Sequence, residues 1–146
     1  MYPGVYELTE IVVPDGYTGD SNCTNGKTIT INIVDKDVTQ KVQNTLNQVM
    51  FRVSKTDKTS GNPIEGATFG IFTKGDIYYN GSLIVKKDSC VAIITTDRNG
   101  IAISEKIYAP IGTYYAKELI AADGYILDKD KTDTKTYNGN EETVSF

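Results

Sequence analysis

The feature that most constrains the fold is an internal repeat of fourteen residues. Residues 4–17 read GVYELTEIVVPDGY, and residues 112–125 read GTYYAKELIAADGY. Six positions are identical at a constant offset of 108 residues: Gly4/Gly112, Tyr6/Tyr114, Glu10/Glu118, Asp15/Asp123, Gly16/Gly124 and Tyr17/Tyr125. Identity at one fixed offset predicts two copies of one folding unit.

The position of the first copy predicts the domain organisation. Its motif begins almost at Met1, and a unit of about 100 residues does not fit twice into this chain. We therefore expect residues 1–47 to be the C-terminal part of a first domain. Residues 48–146 are expected to form most of a second domain, without its last strand or its acceptor.

Both segments carry the pattern of β-strands. Apolar and polar residues alternate over residues 29–33 and 49–55, which predicts half-buried strands. Turn-forming pairs separate such runs: Asp15-Gly16, Asn25-Gly26, Asn80-Gly81, Asn99-Gly100, Asp123-Gly124 and Asn138-Gly139. Many short strands with frequent turns favour an all-β sandwich or barrel. Residues 37–49 also fit helical spacing, so helix and strand both stay open there.

Composition excludes several classes of function. The chain has no histidine, which removes Ser-His and Cys-His nucleophile pairs and every zinc site that needs histidine. A net charge of −4 disfavours a nucleic-acid partner, and no apolar run approaches the length of about 18 residues needed for membrane insertion. Cys23 and Cys90 fit neither a metal cluster nor a CxxC motif, and they remain either free thiols or a disulfide. We expect no cofactor, no metal site and no multiple-turnover enzyme.

Three sequence runs resemble one known family. They are FRVSKTDKTSGNPIEGATFGIF (51–72), TTDRNG (95–100) and PIGTYYAKELIAADGY (110–125). Together they are similar to the collagen-adhesin B-type (CnaB-like, SpaA-type pilin) domain of Gram-positive surface proteins. This resemblance implies a prealbumin-like or Ig-like β-sandwich with mainly antiparallel strands. Residues 4–48 resemble the second half of another copy.

The resemblance also implies reactive residues. In that family a lysine on the first strand forms an amide bond with an Asn or Asp side chain on the last strand, assisted by a glutamate. The lysine motif V-x-K-x-D is matched at Lys55, and the glutamate motif is matched at Glu10 and, less fully, at Glu118. The matching acceptor in the first copy is Asn44. The motif around Glu118 departs from the family pattern, with Ala116 and Ala122 in place of Leu and Pro.

Strand alternation supports these positions. Lys55 continues the apolar face of Phe51 and Val53, so its amine is expected to point inward. Burial disfavours the charged form of an amine, and the neutral amine is the nucleophile. Glu10 and Glu118 lie on the inward faces of their strands, where a protonated carboxyl can donate to an amide oxygen and transfer protons.

Each copy is expected to lack one member of the reactive set. The lysine of the first copy would precede Met1, and the acceptor of the second copy would lie about two residues beyond Phe146. A hairpin at residues 45–48 would place Lys55 and Asn44 at opposite ends of the paired strands. The alternative to a bond within one chain is strand exchange between two copies of the chain. A strand of one copy would then pair in trans with an open sheet edge of the other.

The function expected from the resemblance is structural. The chain would be a stalk or spacer module of a secreted adhesin or pilin at the Gram-positive cell wall, stabilised by autocatalytic isopeptide bonds that each form once. Its partners would be the neighbouring domains of the same surface protein. The alternative is non-covalent binding of a host matrix protein or glycan, for which Tyr78 and Tyr79 are candidates.

Overall fold

The structure is a computed structural model that describes residues 2–79 and 81–146, with the backbone alone at Tyr79. Every regular element in these residues is a β-strand, so the predicted all-β class is confirmed. The described ranges contain no helix that is long and apolar enough to cross a membrane. The chain divides into two compact units, Met1–Asn47 and Gln48–Phe146, called unit 1 and unit 2 here. That unit 1 is the C-terminal part of a first domain stays a prediction.

Unit 1 contains short strands in two antiparallel pairs. The strands are β1 (Gly4–Leu8), β2 (Tyr17–Thr18), β3 (Ile29–Ile33) and β4 (Thr45–Leu46). β1 pairs with β3, and β2 pairs with β4. The isoleucines of β3 are partly buried while Thr30 and Asn32 are exposed, as the alternation predicts.

Unit 2 is built from two sheets and a separate hairpin. Its strands are β5 (Gln48–Ser54), β6 (Thr68–Thr73), β7 (Ile77–Tyr79), β8 (Ser82–Val85), β9 (Cys90–Thr95), β10 (Ile101–Ile103), β11 (Ile107–Tyr108), β12 (Gly112–Ile120), β13 (Thr132–Tyr137) and β14 (Thr143–Ser145). One sheet is antiparallel with the order β13-β12-β6-β9. In the other, β10 and β11 pair antiparallel with β5, and β14 pairs parallel with β5. β7 and β8 form the hairpin.

The core of unit 2 lies between its two sheets. Val49, Phe51 and Val53 of β5 are buried and alternate with more exposed residues. The ring of Phe51 packs against that of Tyr114 on β12, with 5.0 Å between the ring centroids. Burying an apolar side chain of this size contributes about 1.5–3 kcal/mol, so alternation along β5 fixes which face meets the other sheet. The predicted β-sandwich is confirmed.

The sequence leaves residues 37–49 open between helix and strand. Residues 37–44 form neither, and regular structure returns only at β4 and β5. In unit 2, β14 lies along β5, and its register sets Val144 opposite Phe51 and Ser145 opposite Arg52. That unit 2 lacks its last strand or its acceptor stays a prediction.

The predicted turn residues adopt the backbone conformation that turns require. The glycines of all six predicted pairs have positive φ: Gly16, Gly26, Gly81, Gly100, Gly124 and Gly139. The two cysteines are free thiols, Cys23 buried in unit 1 and Cys90 exposed in unit 2. Tyr78 is exposed on the β7–β8 hairpin, whereas the side chain of Tyr79 lies outside the described part of the structure.

Candidate functional site

Lys55 lies directly after β5, on the face that the strand turns toward the core. Its Nζ is 3.3 Å from Oε1 and 3.4 Å from Oε2 of Glu118. The Lys55 side chain is 26% exposed and that of Glu118 is 6% exposed. The inward direction predicted from alternation is therefore observed, although Lys55 keeps some contact with water. The buried carboxyl has an amine as its charge partner.

The backbone of Lys55 is fixed on both sides. Its N–H donates to the carbonyl of Gly100 over 2.8 Å, and its carbonyl accepts from the N–H of Ile64 over 3.1 Å. Gly100 has a φ of 71°, and a side chain there would collide with the Lys55 carbonyl. The Asn99-Gly100 turn that the sequence predicts thus approaches closely enough to position the lysine.

Glu118 is positioned by β12, in the middle of the opposing sheet. It pairs with Phe69 of β6, and the residue is only 5% exposed. Oε1 is buried and accepts no hydrogen bond from the described residues. Its partner is the Lys55 Nζ, with which it forms an ion pair at 3.3 Å. A buried carboxylate is costly unless it is paired, so the position of Lys55 and the burial of Glu118 depend on each other.

A cavity of about 150 Å³ opens beside the Lys55–Glu118 pair. Its described lining includes Asp128, Lys131 and Asp133 from the segment around the start of β13, together with Phe146. Among the described residues that line it there is no Asn or Gln side chain. Asp128 and Asp133 belong to none of the predicted motifs. They lie in a polar stretch without strand periodicity, so no sequence signal marks them.

A second site lies in unit 1, where Glu10 meets Asn44. Asn44 Nδ2 donates to Glu10 Oε1 over 2.6 Å. Asn44 Oδ1 accepts from the backbone N–H of Asp20 over 3.1 Å. Both ends of the carboxamide are therefore bound, and a backbone donor can bind only the oxygen end, which fixes the orientation of the amide.

This orientation differs from the predicted one. The sequence predicts that the glutamate contacts the amide oxygen, but Glu10 contacts the amide nitrogen and the Asp20 N–H contacts the oxygen. An N–H on the oxygen polarises the carbonyl, which makes Cγ more electrophilic. The glutamate lies beside the nitrogen that would leave.

Asp20 also holds the segment that carries Asn44. Its carboxylate accepts from the backbone N–H groups of Asn22 and Gln43. These hydrogen bonds lower the pKa of Asp20 below its usual value, and the one from Asn22 has the larger effect. Sequence reasoning missed Asp20, because a short-range turn residue looks the same whether or not it serves a site.

The structure thus forms two pairs from the four predicted residues. Lys55 and Glu118 meet in unit 2, and Glu10 and Asn44 meet in unit 1. The other oxygen of Glu10, Oε2, is buried and has no hydrogen-bond partner among the described residues. Within those residues no group of three or more His, Cys, Asp or Glu could hold a metal ion.

The repeat also extends to hydrogen bonding. The hydroxyl of Tyr114 donates to the carbonyl of Pro110 over 2.5 Å, and that of Tyr6 donates to the carbonyl of Tyr2 over 2.8 Å. Both bonds connect residues four apart, and each tyrosine lies four residues before its glutamate. The two glutamates therefore follow equivalent tyrosines at the same spacing, although Glu118 lies within β12 and Glu10 lies two residues after the end of β1.

Solved structures of two pilus proteins and of one other bacterial protein share this fold. The TIE protein of Bacillus anthracis matches 99% of this chain over 24% of its own, with 24% identity and a TM-score of 0.71. The major pilin subunit of Bacillus cereus matches 72% of this chain over 30% of its own, with 20% identity and a TM-score of 0.50. The pilus 2b backbone protein of group B streptococcus matches 94% of this chain over 50% of its own, with 16% identity and a TM-score of 0.50.

These likenesses concern the fold, and the chain spans about a quarter of the TIE protein structure. No curated protein shows significant sequence similarity to the chain. The sequence model of the SpaA prealbumin-like fold domain matches residues 49–146, which is more than half of the chain and nearly all of unit 2. The resemblance predicted from the sequence is thereby confirmed, and the chain belongs to the SpaA prealbumin-like fold domain family.

Proposed function

We propose that this chain is a stalk or spacer module of a pilin or adhesin, secreted to the Gram-positive cell surface and stabilised by isopeptide bonds that form without another enzyme. The observation that carries the proposal is the pairing of each predicted glutamate with one reactive-type partner, Lys55 at the buried Glu118 and Asn44 at the partly buried Glu10. The pilin structures that share the fold support a place in such an assembly. Neighbouring domains of the same surface protein are its proposed partners.

The geometry in unit 1 suits the acceptor half of the reaction. A neutral lysine amine adds to Cγ of Asn44, the Cγ–Nδ2 bond breaks, and one ammonia leaves. The amine loses one proton and the ammonia gains one, so Glu10 ends in the state in which it began. Glu10 Oε1, 2.6 Å from Nδ2, is in place to transfer that proton. The Asp20 N–H stabilises the charge that develops on Oδ1.

The geometry in unit 2 suits the donor half. The parallel ladder carries β14 past Phe51 and Arg52, and Phe146 then bonds to the backbone of Arg52 and Ser54. A residue two positions further along this ladder would be level with Lys55, which supports an acceptor on that strand. The amine, the carboxyl and the acceptor would then react because they are held in contact away from bulk water.

Such a bond would connect the first and last strands of a domain. A covalent connection over a loop of about 100 residues stabilises the folded state by a few kcal/mol in the loop-entropy model, as a disulfide does. Reducing agents do not break an amide. Force applied at the chain ends would then act on the bond instead of separating the terminal strands, which is what a stalk requires.

Intact-mass measurement on a chain extended at both ends tests the proposal. We expect the mass to fall by one ammonia for each Asn acceptor, and Glu10→Ala or Glu118→Ala to abolish the loss in its own domain. Glu10→Gln and Glu118→Gln repeat the test with less change in volume, and Glu7→Ala, an exposed residue of β1, is the matched control. An unchanged mass in a folded, extended chain would leave a non-covalent sandwich and refute the isopeptide bond.

A further inference from the structure

The outer face of the β13-β12-β6-β9 sheet of unit 2 carries a polar cleft. Tyr114 and Glu118 of β12 turn toward the core, so Tyr115 and Lys117, at alternate positions, turn to the other side of the sheet. The cleft has a volume of about 290 Å³, and its lining contains two threonines together with Lys74, Lys87, Asp88, Tyr115 and Lys117. It is called the lysine cleft here.

The residues of the lysine cleft do not balance its charge. The lining holds three ammonium groups and one carboxylate, and within the described residues no lysine of the cleft forms an ion pair. The carboxylate of Asp88 instead accepts from the Tyr115 hydroxyl over 3.0 Å. Asp76 accepts from the backbone N–H of Lys87 over 2.7 Å but is not part of the lining. Cations that share one concavity repel each other, so an anion that binds there is stabilised by all three.

The loop that forms one side of the cleft is held by a buried hydroxyl. Thr73 is completely buried, and its hydroxyl donates to the carbonyl of Lys86 over 2.6 Å. The same hydroxyl accepts from the N–H of Ser89 over 3.0 Å. Between these two residues, Asp88 has a φ of 62°, a conformation that few residues other than glycine adopt. The loop therefore places its cleft residues before any ligand binds.

The opposite side of the cleft is held across three strands. Lys74, directly after β6, donates from Nζ to the Thr134 hydroxyl of β13 over 3.1 Å. The ring of Tyr115 stacks on that of Phe72, with 5.3 Å between the centroids and 20° between the planes. A side chain at Gly70 would come within 2.4 Å of the Phe72 ring, so the glycine leaves the space that this stack occupies. Groups that are already fixed lose little conformational entropy when a ligand binds.

The lining also indicates the class of ligand. Ammonium groups donate strong hydrogen bonds to carboxylate and sulfate oxygens. The hydroxyls of Tyr115, Thr132 and Thr134 can both donate and accept, which suits the hydroxyl groups of a sugar. A volume of about 290 Å³ is at the small end of the range for ligand sites, about 300–1,000 Å³, and fits one sugar unit better than a large ligand. The net charge of −4 disfavours a long polyanion such as a nucleic acid.

We propose that the lysine cleft binds an acidic sugar unit of a glycan, one that carries a carboxylate or a sulfate group. The ammonium groups of Lys74, Lys87 and Lys117 bind the anionic group, and the threonine hydroxyls bind the sugar hydroxyls. The cleft lies on the side of the sheet opposite Glu118, so this binding is independent of the proposed isopeptide bonds.

Calorimetric titration of the full 146-residue chain with tetrasaccharides tests the proposal. The probes are hyaluronan tetrasaccharide, which carries carboxylates, chondroitin 4-sulfate tetrasaccharide, which also carries sulfates, and maltotetraose, which is neutral. We expect saturable binding of an acidic probe and none of maltotetraose, and the stronger acidic probe identifies the anionic group. Raising the salt from about 50 to about 300 mM should weaken the binding about threefold or more, because salt screens exposed charges.

Glutamine variants locate the binding. Lys87→Gln and Lys117→Gln should each weaken the affinity for the acidic probe about tenfold, the effect of losing one hydrogen bond to a charged group. Lys106→Gln is the matched control, since Lys106 is an exposed lysine of unit 2 outside the cleft lining. It removes the same charge from the chain and should change the affinity less than about twofold.

Asp88→Asn should have the opposite effect. It removes the one carboxylate of the cleft, while asparagine tolerates positive φ and its carbonyl can still accept from the Tyr115 hydroxyl. We expect the affinity for the acidic probe to rise about threefold, an increase that a disturbed fold would not produce.

Four outcomes would overturn the site. They are no binding of either acidic probe, equal binding of maltotetraose, equal affinities in Lys87→Gln and Lys106→Gln, and an affinity in Asp88→Asn that is unchanged or lower. Inorganic sulfate that binds as tightly as the acidic tetrasaccharide would overturn the assignment to a sugar.

Discussion

At the scale of single residues, the Lys55–Glu118 pair is a buried polar feature of unit 2 that should be costly to disturb. Lys55→Met leaves the carboxyl of Glu118 buried without its partner. We expect the free energy of unfolding to fall by about 2 kcal/mol, less than for a completely buried pair because part of Lys55 reaches water. Urea unfolding followed by circular dichroism measures the change.

The double variant Lys55→Met, Glu118→Met separates pairing from packing. It should regain most of the lost stability, because an apolar pair of similar volume needs no charge partner. Lys58→Met, at an exposed lysine in the next turn, should leave stability within about 0.5 kcal/mol of the wild type. If Lys55→Met behaves like Lys58→Met, the amine does not hold the buried carboxyl.

The buried tyrosines predict how stability depends on alkaline pH. Burial raises the pKa of Tyr114 and of Tyr137 above the usual value of 10.0. Above about pH 10 the unfolded chain releases phenolic protons that the folded chain retains, so the free energy of unfolding falls as pH rises. Below about pH 10 their contribution is fully present.

Urea unfolding at several pH values between about 8 and 11 measures this slope. Tyr114→Phe should show a shallower fall with pH than the wild type. At pH 8 it should be less stable by about 1 kcal/mol, because the carbonyl of Pro110 loses the hydroxyl that donates to it. The same slope in both proteins would contradict the assignment to Tyr114.

At the scale of secondary-structure elements, β14 shows how a three-residue strand can matter to a sandwich. Val144 is buried opposite Phe51, and the Phe146 ring lies 6.3 Å from the Phe51 ring. Val144→Ala should lower the free energy of unfolding by about 2 kcal/mol through the cavity that it leaves in the core. Ser145→Ala, at the next and exposed position, should change it by less than about 0.5 kcal/mol. Equal effects would mean that β14 does not seal the core.

Strand periodicity explains which elements the sequence could predict. The face of β5 follows from simple alternation, and alternation alone predicts that Lys55 points inward, where Glu118 lies. The parallel pairing of β14 with β5 joins segments far apart in the chain, and no local pattern specifies it. Residues 37–44 carry strand-like residues without a partner strand, so their sequence alone could not decide their structure.

The candidate sites also combine features that the sequence predicts with features that it does not. Glu10 and Glu118 lie in the repeated motif, Lys55 and Asn44 lie beside the strands β5 and β4, and the structure brings the four residues together in two pairs. The orientation of the Asn44 carboxamide is set by the Asp20 backbone N–H, which belongs to an irregular loop. Loop geometry of this kind leaves no periodic signal, so a sequence can predict the residue but not which of its atoms faces the glutamate.

At the scale of the whole molecule, the two units differ in how much apolar surface they bury. The buried apolar cluster of the described residues lies entirely in unit 2, from Val49 to Val144. In unit 1 the one described apolar side chain that is buried is Cys23, while Ile11 and Val12 are exposed. Small units with little buried apolar area have little stability of their own.

This difference predicts uneven protection from hydrogen exchange along the chain. Local opening costs less free energy where fewer apolar contacts must break, so amides of β1 and β3 should exchange faster than those of β5, β6 and β12. A difference of about two orders of magnitude corresponds to about 3 kcal/mol in opening free energy. Mass-spectrometric exchange with peptide resolution measures both units in one sample under identical conditions. Equal protection in β1 and β12, strands that share the same repeat, would mean that the smaller buried apolar area of unit 1 costs it no stability.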